Sequence, residues 1–167
     1  MKQVNRFTAI LSLILAVTTC PIAQSQRDGK SDSTSGQEQV VVFICEHGAA
    51  KSIIAAAYFN KLARERNLKF RAIARGTNPQ EEISASAASG LQADGLTSSE
   101  QKPVALARDD VSGAVRVVTF CALPADYKAA SVEEWNDVPT VGDDYNRARD
   151  TIVQRVKHLL SELESKK

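Results

Sequence analysis

The sequence is poor in aromatic residues, histidine and cysteine, and these shortages narrow what the chain can be. Only 5% of its 167 residues are aromatic, and it holds two histidines and three cysteines. Because no cluster of His, Cys and Asp has the spacing of zinc ligands, we expect no metal and no other cofactor. The formal net charge of +1 gives no indication of a nucleic-acid partner. The composition is that of an ordinary globular protein with one domain.

Apolar runs long enough to span a membrane are also missing, and the longest run lies near the start. Residues 7–17 (FTAILSLILAV) follow a short basic stretch, as in a signal peptide. With Ala23 and Ser25 as the small residues before the cleavage point, residues 1–25 are predicted to be a signal peptide. We therefore expect a periplasmic or secreted protein with no stable membrane association after cleavage. An uncleaved anchor and a lipid anchor on Cys20 are alternatives that fit the sequence less well.

The folded domain is predicted to span residues 40–167. Residues 26–39 are polar, contain Gly and Ser, and show no apolar periodicity, which is typical of a flexible linker. The domain keeps two cysteines, Cys45 and Cys121. In an oxidising compartment two cysteines favour a disulfide, whereas their positions at the ends of apolar runs favour two buried strand ends. Both interpretations stay open at this point.

Apolar runs typical of buried strands alternate with helical patterns along the domain. This alternation predicts a three-layer α/β/α fold around a parallel sheet of about four strands. Such sheets bind ligands at the carboxyl ends of their strands, where Cys45 and Cys121 lie. The predicted strands are residues 40–45, 69–74, 114–121 and, less regularly, 132–138, and the predicted helices are residues 52–67, 84–94, 104–111 and 143–163.

The stretch between the first strand and the first helix has the features of an anion site. Loop amides and the first turn of a helix together attract negative charge, and Gly48 permits the positive φ that such a loop requires. Cys45 at the base of this loop is placed to attack a bound tetrahedral oxyanion. Ser52 can donate a hydrogen bond to its sulfur, and Lys51 is the candidate cation.

This stretch, CEHGAAKS, resembles the phosphate loop of low-molecular-weight protein tyrosine phosphatases and of the arsenate reductases that share their fold. The similarity continues through residues 53–59, the ARGT at 74–77, the VVTFC at 117–121 and the WNDVP at 135–139. The resemblance implies that the chain is an enzyme whose substrate is a phosphate monoester or another oxyanion. The loop residues that it implies are Cys45 as nucleophile, Lys51 and Ser52 as catalytic partners, and Glu46, His47, Gly48, Ala49 and Ala50 as substrate-binding residues.

The activity that the resemblance implies is a cysteine-dependent phosphatase acting on phosphotyrosine or small aryl phosphates through a phosphocysteine. It also implies that Asp137 is the general acid, with Asp143 and Asp144 as rivals. The first alternative is an arsenate reductase that uses Cys45 with Cys121 or with an external thiol. The second alternative is a non-catalytic module that binds an oxyanion.

Three departures from the family pattern bear on the chemistry. The family's Arg is Lys51 here, and a lysine cannot clamp two oxygens with one planar fork. The loss of that clamp is expected to weaken catalysis more than binding. Glu46 adds a negative charge beside the anion site, and Val138 separates Asp137 from Pro139, which are adjacent in the family.

Overall fold

The computed structural model describes residues 38–166. The predicted signal peptide and most of the predicted linker lie outside these residues. The first strand begins one residue before the predicted start of the domain. In chain order the elements are β1 (Gln39–Cys45), α1 (Lys51–Glu65), β2 (Phe70–Gly76), α2 (Ala85–Ala93), α3 (Arg108–Ser112), β3 (Arg116–Thr119), β4 (Val132–Glu134) and α4 (Tyr145–Ser165).

The four strands form one parallel sheet in the order β2-β1-β3-β4. The register sets Cys45 beside Gly76 on one side, and Ile44 beside Thr119 on the other. Because β1 lies inside the sheet, it is apolar on both faces, as expected of a buried parallel strand. Residues 41–44 are fully buried. The predicted fold class is confirmed.

Alternate residues of β1 enter two separate cores. Val41, Phe43 and Cys45 face the larger core, which α1, α2 and α4 cover. Val42 and Ile44 face a smaller core on the opposite side of the sheet, closed by α3 and the segment before it. The period-2 alternation of a strand produces this division. It also carries the side chain of Cys45 to the face on which α1 begins.

The predicted helix over residues 104–111 is wrong in its first half, because α3 begins only at Arg108. Gly76 at the end of β2 donates a hydrogen bond to the Val104 carbonyl and accepts one from the Leu106 amide. These bonds hold the segment extended beside the sheet. Pairing with a distant strand end overrides the local helical pattern here.

None of the helices within residues 38–166 has the length and apolar character that a membrane span requires.

A polar cluster at the Asp94 carboxylate joins the three helices of the larger core. Its Oδ2 accepts hydrogen bonds from Tyr58 of α1 at 2.7 Å and Tyr145 of α4 at 2.6 Å. Its Oδ1 accepts one from Arg149 at 3.0 Å. Burial raises the pKa of Tyr58 to about 12, and the hydrogen bond to Asp94 adds to this. Burial alone would raise the pKa of Asp94, but the bonds from both tyrosines and the charge of Arg149 outweigh it and lower that pKa.

Asp94→Asn is expected to lower the free energy of unfolding by about 2–4 kcal/mol at neutral pH, because it leaves the Arg149 charge partly buried and weakly paired. The folded-state pKa of Asp94 lies below its ordinary value of 3.8. Its ionisation therefore stabilises the fold above that value, and the contribution is lost as the pH falls through the folded-state pKa. Urea unfolding of both proteins between neutral pH and pH 3 measures this, and the difference between them should shrink in acid.

Asp150→Asn is the matched control for this experiment. Asp150 also accepts a hydrogen bond from Arg149, at 2.9 Å, but its side chain is 65% exposed. Exposed ion pairs contribute little to stability. Equal destabilisation by the two variants would show that the buried cluster has no special role.

Candidate active site

The loop from Cys45 to Lys51 is held in a narrow turn by close packing of two glycines. Gly48 has a φ of +61°. A Cβ added to Gly48 would lie 2.9 Å from the Gly76 amide nitrogen, and one added to Gly76 would lie 2.7 Å from that of Gly48. Both backbones can approach this closely only without side chains. The end of β2 therefore supports the loop that follows β1.

Backbone carbonyls of the loop accept hydrogen bonds from the segment that follows β2. Backbone amides within residues 77–84 donate to four of them. Within residues 38–166, no acceptor takes a hydrogen bond from the backbone amides of residues 46–51. Several such amides ahead of a 15-residue helix form an anion-binding nest. The four supporting bonds run from Thr77 to Cys45, from Asn78 to Glu46, from Gln80 to His47 and from Ser84 to Ala49.

Cys45 lies at the base of this nest with its sulfur against one hydroxyl. The Cys45 Sγ is 3.1 Å from the Ser52 Oγ, and the two residues are 7% and 0% exposed. Ser52 is in the first turn of α1, so the hydroxyl is fixed by the helix. A hydroxyl that donates to this sulfur stabilises it as a thiolate and as a leaving group. This is the arrangement that a cysteine nucleophile needs.

Lys51 links the loop to a distant part of the chain. Its Nζ donates a hydrogen bond to the Val138 carbonyl at 2.5 Å. Val138 itself is 3% exposed and belongs to the larger core. The ammonium group is therefore anchored on one side, and it retains two further donors. The structure brings Lys51 to the same cavity as Cys45.

The cavity above Cys45 has a volume of about 430 Å³. Its floor is formed by residues of the predicted loop. Its walls come from three other segments: the chain before and within the start of α2, the end of β3, and the loop before α4. The sequence offered no local signal for most of these wall residues, which are Gln80, Ser84, Ser86, Phe120, Cys121, Thr140, Val141 and Gly142.

Asp137, the predicted general acid, does not line this cavity. Its side chain is 74% exposed and lies 2.6 Å from an Arg155 nitrogen of α4. The hydrogen bond from Arg155 lowers the pKa of Asp137, which disfavours the protonated form that a general acid needs. Its rivals Asp143 and Asp144 do not line the cavity either, and Asp144 caps α4 by accepting from the Arg147 amide. The role of Asp137 therefore stays a prediction that this geometry does not favour.

Asp137→Asn is expected to reduce kcat for phosphate ester hydrolysis by less than about tenfold, because the carboxyl group lies outside the cavity. Removal of a general acid typically costs between about a hundredfold and ten-thousandfold. Steady-state kinetics with phenyl phosphate, whose leaving group needs a proton, makes the measurement sensitive. A loss above about a hundredfold would restore the assignment made from the sequence.

Cys121 shares the cavity with Cys45, and both thiols are free. Burial raises the pKa of the Cys121 thiol, although hydrogen bonds to Thr119 and Thr77 oppose this. A thiol with a raised pKa holds little thiolate at neutral pH, so it attacks other sulfurs slowly. The structure thus places a second, less reactive thiol beside the candidate nucleophile.

Comparisons with known proteins place the fold. No protein-family model matches the chain, and the search of curated proteins found no match. YfkJ from Bacillus subtilis is 16% identical with a TM-score of 0.70, and the match covers 80% of this chain and 99% of that one. The low-molecular-weight protein tyrosine phosphatase from T. tengcongensis is 18% identical with a TM-score of 0.66, covering 74% and 99%. An arsenate reductase from Archaeoglobus fulgidus is 28% identical with a TM-score of 0.54, covering 72% and 98%.

The chain therefore has the fold shared by low-molecular-weight protein tyrosine phosphatases and arsenate reductases, as the phosphate-loop resemblance predicted. Both of these classes are enzymes.

Proposed function

We propose that this chain is a cysteine-dependent phosphatase that hydrolyses phosphate monoesters, with phosphotyrosine and small aryl phosphates as the class that the resemblance implies. The observation that carries the proposal is the position of the Cys45 sulfur. It lies at the base of a loop whose amides have no acceptor within residues 38–166, against the hydroxyl of Ser52. The placement of a phosphoryl group in this loop puts phosphorus in line with a nucleophile.

The reaction proceeds in two displacements. The Cys45 sulfur forms a bond to phosphorus while the bond from phosphorus to the ester oxygen breaks, and the departing oxygen takes up a proton from solvent water. A water molecule then attacks phosphorus, the sulfur–phosphorus bond breaks, and inorganic phosphate leaves. The loop amides and the Lys51 ammonium stabilise the charge on the equatorial oxygens in both steps. Ser52 stabilises the sulfur when it becomes the leaving group.

Hydrolysis of p-nitrophenyl phosphate by the reduced full-length chain tests this proposal. We expect turnover that inorganic phosphate inhibits competitively, because the product occupies the same loop. A chain that binds phosphate but releases no nitrophenol would instead be the non-catalytic oxyanion module predicted as an alternative. Turnover that survives alkylation of Cys45 would contradict the proposed mechanism.

Arsenate reduction is the second candidate, and the position of Cys121 in the cavity favours it. In this reaction the Cys45 sulfur bonds to As(V) with loss of water. The Cys121 thiolate then attacks the Cys45 sulfur, a disulfide forms, and arsenic leaves as As(III) with the two electrons. A dithiol reductant must restore both thiols. Thiol-dependent arsenite production that is lost in Cys121→Ser supports this candidate, and its absence leaves the phosphatase.

The predicted export favours one of the two candidate activities over the other. An exported chain would meet an oxidising compartment, where the reducing power for repeated arsenate reduction is scarce. Hydrolysis needs no reductant once Cys45 is a thiol. Export therefore supports the phosphatase, and fractionation of cells that express the full chain tests for it.

A further inference from the structure

The side chains that line the cavity include one lysine and one carboxylate. The floor carries the Lys51 ammonium beside the loop amides. Among residues 38–166, Glu46 is the only acidic residue that lines the cavity. The cavity thus presents both donors for an anion and one carboxylate. A ligand that carries both charges matches this arrangement better than an anion alone.

The Glu46 carboxylate is available to a ligand. Its side chain is 64% exposed, and its ion-pair partner, the His47 Nε2, lies 3.8 Å away, beyond hydrogen-bonding distance. Its charge acts on the cavity: burial raises the pKa of the Cys121 thiol, and the negative charge of Glu46 adds to that effect. Cys121 also lines the cavity, two residues beyond the end of β3.

Apart from Glu46, His47 and Lys51, the polar residues that line the cavity are uncharged. Gln80, Ser84, Ser86 and Thr140 are neutral hydrogen-bonding residues. Phe120 is 7% exposed and forms a T-shaped pair with the buried Trp135, so little of its ring is open to a substrate. Phe120 therefore gives a flat leaving group no platform for stacking. A negatively charged leaving group would meet only repulsion from Glu46.

We propose that Glu46 selects phosphate monoesters whose leaving group carries a cationic nitrogen a few bonds from the ester oxygen. The phosphoryl group binds to the loop amides and Lys51, and the nitrogen binds to the Glu46 carboxylate. This rests on the proposed function, because it takes the same loop as the phosphoryl site. The proposal also gives a function to the negative charge of Glu46, which departs from the family pattern.

The test compares two esters that differ only in charge, O-phosphorylethanolamine and propyl phosphate. Their binding to the Cys45→Ser chain, which retains the loop but not the nucleophile, is measured by calorimetry in the same buffer. We expect the amine ester to bind about three- to tenfold more tightly, which is the size of one ion pair near water. The preference should weaken in high salt, which screens an exposed pair.

Glu46→Gln in the same background should bring the two affinities together, whereas Glu82→Gln should leave the preference unchanged. Glu82 is an exposed carboxylate that does not line the cavity. Equal affinities in the parent, no binding of the amine ester, or a preference that survives Glu46→Gln would each overturn the proposal. Circular dichroism confirms that each variant is folded, and Cys45→Ala replaces Cys45→Ser if the serine variant is not.

Hydrolysis of p-nitrophenyl phosphate by the wild-type chain distinguishes a failure of the phosphatase proposal from a failure of the Glu46 proposal. If the wild type turns over and the two esters bind equally, the chain is a phosphatase without the amine preference. If the wild type is inert and the amine ester binds more tightly through Glu46, the selectivity holds and the catalytic proposal fails.

Discussion

Cys45→Ser is expected to reduce p-nitrophenyl phosphate hydrolysis by roughly a thousandfold or more. A serine hydroxyl at this position is protonated near neutral pH, and within residues 38–166 no basic side chain is hydrogen-bonded to the Cys45 sulfur to deprotonate such a hydroxyl. The substitution changes one atom, and the Ser52 hydroxyl can still bond to its replacement. The loop and its affinity for phosphate should therefore persist. Steady-state kinetics and phosphate titration on the same sample measure both quantities.

Cys121→Ser is the matched control, because Cys121 is a second free thiol in the same cavity. It should keep phosphatase activity within a few fold, since hydrolysis uses one thiol. If both serine variants lose activity equally, the two cysteines act as a pair and the reductase becomes the better account. If Cys45→Ser retains the wild-type rate, Cys45 is a strand-end cysteine without a catalytic role.

Lys51→Met is expected to lower kcat/KM by about a hundred- to a thousandfold, the usual cost of losing one preorganised group that stabilises an oxyanion. The methionine keeps most of the length of the side chain but removes both the charge and the hydrogen bond to Val138. Part of the loss in kcat/KM should therefore come from a less firmly anchored loop before α4. The thermal unfolding midpoint reports that part, and kcat/KM reports the total.

Lys51→Arg separates the charge from its geometry. A guanidinium can clamp two oxygens of the phosphoryl group, and this contact strengthens in the transition state. We expect kcat to rise severalfold while the affinity for phosphate changes little. Lys61→Met is the control, because Lys61 lies in α1 on an exposed surface and pairs with Glu65. An unchanged rate in Lys51→Met would show that the cation takes no part in catalysis.

The local parts of the site could be predicted from the sequence because one short segment contains them. The apolar run of β1, the glycine with positive φ and the start of α1 follow one another, so Cys45, Ser52 and Lys51 are positioned by neighbouring residues. Secondary structure and the parallel sheet followed from the alternation of patterns. The family resemblance added the phosphate loop itself.

The walls of the cavity could not be predicted, because they depend on contacts between distant segments. Asp137 illustrates this: its position in the sequence favours a general acid, but an arginine on α4 pairs with it outside the cavity. The hydrogen bond from Lys51 to the Val138 carbonyl likewise could not be predicted from the sequence. The same holds for residues 104–107, whose pairing with Gly76 replaces the predicted helix.

The most direct test of the central claim is to detect the covalent intermediate on Cys45. Wild-type protein is mixed with excess p-nitrophenyl phosphate, denatured within a single turnover, and digested, and the mass of the peptide that contains Cys45 is measured. We predict a gain of one phosphoryl group on this peptide, formed and lost at rates consistent with kcat, and no gain in Cys45→Ala. Steady turnover with an unmodified Cys45 peptide, or with the phosphoryl group on another residue, would contradict the account.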